Sequence, residues 1–315
     1  MNPVPRVNRG RGNREGGPHL RWAIVVCLSV LSLTAAGAQD DLFKARFVAN
    51  LKALASEPDA VVGVAIRDIR SGEEFVINGD EVFPQASAIK IHILAELYRQ
   101  AEQGKFRLTD VLPVPASSRV GGSGILNELG TWSVSMSIRD YAVLMIVLSD
   151  NTATNLLIER VGMENVNRFL QSVGATSTKL QRVMMDLKAA TEGKENIGTP
   201  RDVMNVLEKM YRGEIVSKTA SADMLSILRK AKDGPLRAGI PETVDVADKA
   251  GDVDGVKCDV GIVFLHDAPY VICVMTKFLQ KEEDGPKAIT EISRLTYQYF
   301  ERKVNSNQSG RRLRR

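Results

Sequence analysis

Strand-forming and helix-forming patterns are segregated along this chain, and that segregation limits the possible folds more than any other feature. Alternating apolar, β-branched runs occur at Val61 to Ile69 and Glu74 to Asn78, joined at Ser71-Gly72. They return only at Val244 to Ala250, Val260 to His266 and Tyr270 to Lys277. Between about residues 104 and 232 nearly every signal is helical. Ser137-x-x-Asp140 opens one helix as a capping box, and Asn151 to Arg160 forms the next, stopped at Gly162. Met163 to Leu170 follows, then Thr199-Pro200 to Arg212 with a Thr cap and Pro in its first turn. Further helices are expected over Leu42 to Ala55, from about Ser87 to Gln103, and from about Pro286 to Lys303. The fold class is therefore α+β (α/β/α). Strands from both ends pair into one antiparallel sheet flanked by the terminal helices, and the middle forms an all-helical lobe. The expected lobes are 39–103 with 233–303, and 104–232, and a ligand crevice is expected between them.

The chain ends are separate in character. Residues 1–38 read as a secretory signal peptide: Arg6, Arg9, Arg11, Arg14 and Arg21, then an apolar run from Trp22 to Leu33, then Ala36-Gly37-Ala38. That run is about a dozen residues, short of the roughly 20 a bilayer span needs. The mature protein is expected to be secreted or periplasmic, monomeric, and without a membrane span. Residues 304–315 are expected to be a disordered basic tail. The full chain carries +4, but 39–303 holds 33 basic and 37 acidic residues, a net of −4. A mildly acidic body lacks the electrostatic footprint of a nucleic-acid partner. Beyond the leader only Cys258 and Cys273 remain. Counted back from a turn at His266 to Pro269, Cys273 falls opposite a residue near Val263, so two buried free thiols are expected.

Chemistry narrows by elimination. Outside the leader the only histidines are His92, off the face of Ser87 on its helix, and His266, at a turn. A Ser-His-Asp triad or a multi-histidine zinc site is poorly supported, and no cofactor or metal is expected. Ser87-Ala88-Ile89-Lys90 supplies an alternative, because residues three apart at a helix start share a face. The amine can act as a base once burial and neighbouring cations depress its pKa. Ser149-Asp150-Asn151 stands between two helices, and Lys249-Ala250-Gly251 ends a strand. Each motif alone is weak; a capped turn or a plain strand end would explain it. Their order, with separations of 62 and 100 residues between the leading positions, carries the weight.

On these motifs the chain resembles the class A serine β-lactamases and their penicillin-binding relatives, from about residue 42 to 300. The stretches Val82-Phe83-Pro84, Asp150 to Leu157, and Gly255-Val256 through Asp259 to Val263 add to the likeness. The resemblance implies that Ser87 is acylated, Lys90 accepts or relays its proton, and Ser149 passes a proton to the leaving nitrogen. Asn151 would bind the substrate's side-chain amide and Lys249 its anionic end. Gly251 lets substrate approach, and the N–H groups of Ser87 and Asp252 would form the oxyanion hole. The partner implied is a small β-lactam or peptidoglycan-like acyl substrate.

Two positions depart from the family pattern. Met184 in Arg182-Val183-Met184 takes the place of the glutamate that serves as deacylation base. Asp186 is the nearby candidate replacement; otherwise it pins the loop, with Arg182 as a possible partner. Ala250 stands where the family usually has Thr or Ser, removing one hydrogen bond to a substrate carboxylate, worth about 1.5–3 kcal/mol. A class A-type β-lactamase that hydrolyses the β-lactam ring through a Ser87 acyl-enzyme with slow deacylation, a penicillin-binding D,D-peptidase or esterase, and an acylated sensor without turnover are the functional readings.

Overall fold

The computed structural model describes residues 1–5, 42–130, 134–307 and 309–313. The expected leader, apart from its first five residues, lies outside them. Helix α1 spans 42–56, followed by the hairpin of β1 (Val61–Asp68) and β2 (Glu74–Ile77), in which Ile66 faces Phe75. β3 (Phe83–Pro84) leads through a 3-10 turn, Ala86–Ile89, into α2 (Lys90–Glu102). The middle of the chain holds β4 (Val111–Pro113), β5 (Ser135–Ser137), α3 (Ile138–Val147), α4 (Asn151–Val161), α5 (Met163–Ser172), α6 (Leu187–Thr191), β6 (Ile197–Gly198), α7 (Pro200–Arg212) and α8 (Lys218–Leu228). The chain then closes with α9 (Pro235–Ala238), β7 (Val246–Val253), β8 (Val256–Val263), β9 (Tyr270–Lys277) and α10 (Asp284–Val304).

The five long strands form one antiparallel sheet in the order β2-β1-β9-β8-β7, joining the two ends of the chain as the segregated pattern requires. α1 and α10 cover one face, with Phe47, Leu51, Ile292 and Phe300 packed on Val64, Ile66, Ile272 and Val274. Tyr299 stacks on Phe43 and Phe47 there. α7 crosses the other face, with α2, α3, α4, α5 and α8 packed beyond it, while the short α9 packs on α10. Local capping sets the helix starts. Ser137, Asp150, Thr199 and Ser217 each accept a hydrogen bond from the backbone N–H three residues on, worth about 1 kcal/mol apiece.

α2 packs against α3, α4, α5 and α8. One expectation changes. Cys273 lies opposite Val260, not Val263, because the β8–β9 connection uses six residues between the paired Val263 and Tyr270; both thiols are buried and free. In the described part of the basic tail Ser306 bridges Arg312, and Asn307 Oδ1 accepts from the N–H groups of Ser309 and Arg311. Among the described residues no helix is long and apolar enough to cross a membrane.

Candidate active site

Ser87 sits in the 3-10 turn, not on the first turn of an α-helix as its spacing suggested. Ala86 before it adopts φ 44°, a left-handed conformation that turns the chain sharply between β3 and α2. The one-turn relation to Lys90 survives, with Nζ 2.9 Å from Ser87 Oγ. Lys90 is wholly buried. Its Nζ also lies 2.7 Å from Ser149 O, 2.9 Å from Ser149 Oγ and 3.1 Å from Asn151 Oδ1. Ser149 is itself left-handed, at φ 52°, and this kink turns both its carbonyl and its hydroxyl toward the amine.

These four contacts define what Lys90 can do. The Ser149 and Asn151 carbonyl oxygens can only accept, so they occupy two N–H groups. In the neutral amine the remaining lone pair points between two hydroxyls, those of Ser87 and Ser149. Burial, and then the nearby Lys249 cation, push the Lys90 pKa well below that of a free lysine, while Asp150 opposes the shift. An amine so placed can take a proton from Ser87 and hand one to Ser149.

Asp150 and Asn151 organise one side of this cluster. The buried Asp150 carboxylate accepts from Ala153 N, Ile125 N and Leu126 N, at 2.8, 2.7 and 2.9 Å. Asn151 donates through Nδ2 to Gly121 O, which leaves Oδ1 toward Lys90. Gly122 and Gly124 have φ of 80° and 116°, and a Cβ on Gly124 would lie 2.3 Å from Asp150 Oδ2. The loop can therefore close over the Ser149-Asp150-Asn151 turn only with glycine there.

Edge strand β7 forms the other side. A Cβ on Gly251 would sit 2.5 Å from Gln85 O and 2.9 Å from Ser87 N, both backbone atoms that cannot yield. Gly251 is thus what brings β7 against the nucleophile's turn. Lys249 is almost fully buried; its Nζ donates to Ala250 O at 2.7 Å, and its pKa is lowered to about 8, chiefly by burial. Asp252 follows on the same strand, its carboxylate exposed and paired with Lys257. Beneath the turn, Cys258 Sγ lies 3.0 Å from Gln85 O, and burial raises its thiol pKa to about 12. It is a packing residue, not a second nucleophile.

The Beta-lactamase enzyme family matches residues 46–300. The chain belongs to that family. Among curated proteins it is 27% identical to Beta-lactamase SME-1 of Serratia marcescens, over 87% of this chain and 94% of that protein. A β-lactamase of Sphaerobacter thermophilus superposes with a TM-score of 0.74 at 33% identity, covering 80% of this chain and 95% of that one. PBP-A superposes with a TM-score of 0.75 at 30% identity, over 81% and 96%. A variant of PBP-A with leucine changed to glutamate, solved as an acyl-enzyme complex with penicillin G, superposes equally well, at 29% identity over 82% and 97%. The protein is a β-lactamase-like serine hydrolase.

Within this β-lactamase fold, residues 179–197 form a loop closed at its neck by the Lys179–Ile197 bridge and held by the Arg182–Glu195 ion pair at 2.9 Å. The side chain of Asn155 clamps the backbone of Met184 from both sides, accepting from its N–H at 2.8 Å and donating to its carbonyl at 3.0 Å. Met184 is buried in the helical-lobe core. The Asp186 carboxylate accepts from Ala189 N at 2.9 Å as the N-cap of α6. It pins the loop there, and Arg182 pairs with Glu195 instead of with it. Among the described residues Asp186 has no hydrogen bond or ion pair with Ser87 or Lys90, whereas Ser87, Lys90, Ser149 and Asn151 converge and Gly251 abuts them. Reading motifs one at a time missed Asn155 as the loop's anchor and the Gly121–Gly124 turn as the cover of Asn151. The glycine cluster was the available signal. Among the described residues no group of three or more His, Cys, Asp or Glu could hold a metal ion.

Proposed function

We propose that the protein is an exported serine hydrolase that opens β-lactam rings by acylation of Ser87 and releases the acyl group slowly. Lys90, neutral before substrate binds, takes the Ser87 proton as Oγ attacks the lactam carbonyl. The oxygen–carbon bond forms, the ring C–N bond breaks, and the proton passes by way of Ser149 to the leaving nitrogen. The N–H groups of Ser87 and Asp252 stabilise the oxyanion, Asn151 takes the side-chain amide, and Lys249 pairs with the anionic end. The observation that carries slow release is Met184: a buried thioether, held by Asn155 where the family pattern has a base, cannot activate water. Asp186, engaged as a helix cap, supports the same conclusion.

The likeness to PBP-A favours a second reading of the same site, a D,D-peptidase acting on peptidoglycan peptides, with β-lactams as long-lived acylating inhibitors. Intact mass after brief exposure to penicillin G, followed over hours beside ring opening, tests the proposal. A stoichiometric burst with a persistent adduct supports slow release. Fast, steady ring opening without an adduct would refute it. Cleavage of D-alanyl-D-alanine peptides separates the second reading from the first.

A further inference from the structure

Behind Lys249 lies a cluster of buried charge that the acylation chemistry does not use. Asp248 and Asp259 are both essentially inaccessible to solvent. In the β7–β8 register Asp248 faces Gly261 and Asp259 faces Ala250, which places the two aspartates diagonally on one face of the sheet. Both approach Gly234, where a Cβ would lie 2.9 Å from Asp259 Oδ2 and 3.5 Å from Asp248 Oδ2. Asp248 Oδ1 receives Arg237 Nε at 2.7 Å and Lys232 Nζ at 3.2 Å. Asp259 Oδ2 receives only the Leu236 N–H, at 3.0 Å. Each carboxyl keeps one buried oxygen with no hydrogen-bond partner, Asp248 Oδ2 and Asp259 Oδ1.

Two buried carboxylates this close cannot both stay ionised without a counter-charge for each. Asp248 has two cations directly on it and Asp259 has none, so the charge belongs on Asp248 and the proton on Asp259. We propose that Asp259 is a protonated carboxylic acid beside the Asp248 carboxylate, and that the two together act as a positioning device that tunes the charge of Lys249. The part concerning Lys249 rests on its reading as the group that holds the substrate's anionic end.

Burial, then repulsion from Asp248, raises the Asp259 pKa, against the pull of Leu236 N–H, Lys249 and Lys232. The other ionisable groups near the pair are Arg237, which bonds Asp248, and the buried thiols Cys258 and Cys273, both held protonated by burial. Burial lowers the Lys249 pKa, and among the neighbouring charges an ionised Asp259 would do most to raise it again. As pH rises, Asp259 releases its proton and the new negative charge supports Lys249 as a cation in the range where burial would neutralise it.

Asp259→Asn, which keeps the shape and a hydrogen-bond donor but cannot ionise, tests the idea. Infrared difference spectra should show the carbonyl stretch of a protonated carboxylic acid at neutral pH in the parent protein and not in the variant. The variant should fold with an unchanged Tm at pH 6, and acylation by penicillin G should lose its alkaline limb about one pH unit earlier, a fall of about tenfold at fixed pH above it. An infrared band absent from the parent overturns the protonated pair. A band present with an unchanged alkaline limb overturns the coupling to Lys249. Lys249→Ala provides the remaining control: if it leaves acylation unaltered, the assignment of Lys249 to the anionic end fails, while the infrared result still stands for the pair itself.

Discussion

Replacing Met184 by glutamate should convert a slow acyl-enzyme into a turning-over one. The Asn155 clamp fixes the backbone of residue 184, not its side chain, so a carboxylate placed there inherits the same position. A positioned general base contributes about 10²–10⁴-fold to a rate, or about 3–5 kcal/mol of barrier. Because the surrounding loop carries no other residue chosen for that base, the lower end, about 10²-fold, is expected for adduct hydrolysis. Ring opening to the adduct should change by less than about threefold, since Ser87, Lys90 and Ser149 are untouched. The change also removes a buried methionine, costing about 1.5–3 kcal/mol of apolar burial. That should lower Tm by about 3–12 °C in a domain of this size. The assay is the decay of the penicillin adduct by intact mass, paired with circular dichroism and a melting curve. An adduct lifetime unaltered in a folded variant would refute the reasoning. Asp186→Asn is the companion. Asparagine caps a helix as well as aspartate does, so both the lifetime and Tm should hold; a markedly longer lifetime would restore Asp186 as the base.

Lys90→Met should abolish acylation by at least about 10³-fold while leaving the protein folded, read by adduct formation. In the proposed mechanism the base is the neutral amine, whose pKa lies well below that of free lysine. Acylation should therefore persist at pH values where an ordinary lysine is fully protonated and decline only as pH falls through the lowered pKa; a limb near that of free lysine would contradict the site. Gly251→Ala should push β7 away from Gln85 and Ser87 and cut acylation at least about tenfold, with secondary structure intact by circular dichroism. His92 is fully buried with both ring nitrogens unpartnered and its pKa lowered to about 3 by burial. The unfolded chain thus binds a proton that the native state refuses, and stability should fall as pH drops from about 6.5 toward 3. His92→Leu should raise Tm and flatten that decline; an equally steep acid transition would mean the imidazole is not responsible.

Much of this was legible in the sequence because it is local. Capping by Ser137, Asp150 and Thr199 depends on a side chain and an N–H three residues away, so composition alone places those helix starts. The segregation of strands to the two ends dictated a sheet that joins them, and three motifs in order named the groups that meet. The Cys273 register was misplaced, and the choice between the two roles of Asp186 was left open, for one reason. The first depends on how many residues a hairpin connection consumes, the second on which N–H lies nearest a carboxylate, and neither is written in a spacing.

What only the tertiary structure decided is chemical character. Sequence alone supplied a lysine three residues from a serine, an arrangement common on any helix surface. Burial under Ser149 and Asn151, about 60 residues further along, lowers that lysine's pKa, because the cost of desolvating a cation exists only once the chain has closed around it. The same holds for Gly251, whose missing side chain matters only where two backbones meet, and for the aspartates behind Lys249. Residue types set what each group could be; the packing of distant segments set which of those states it adopts.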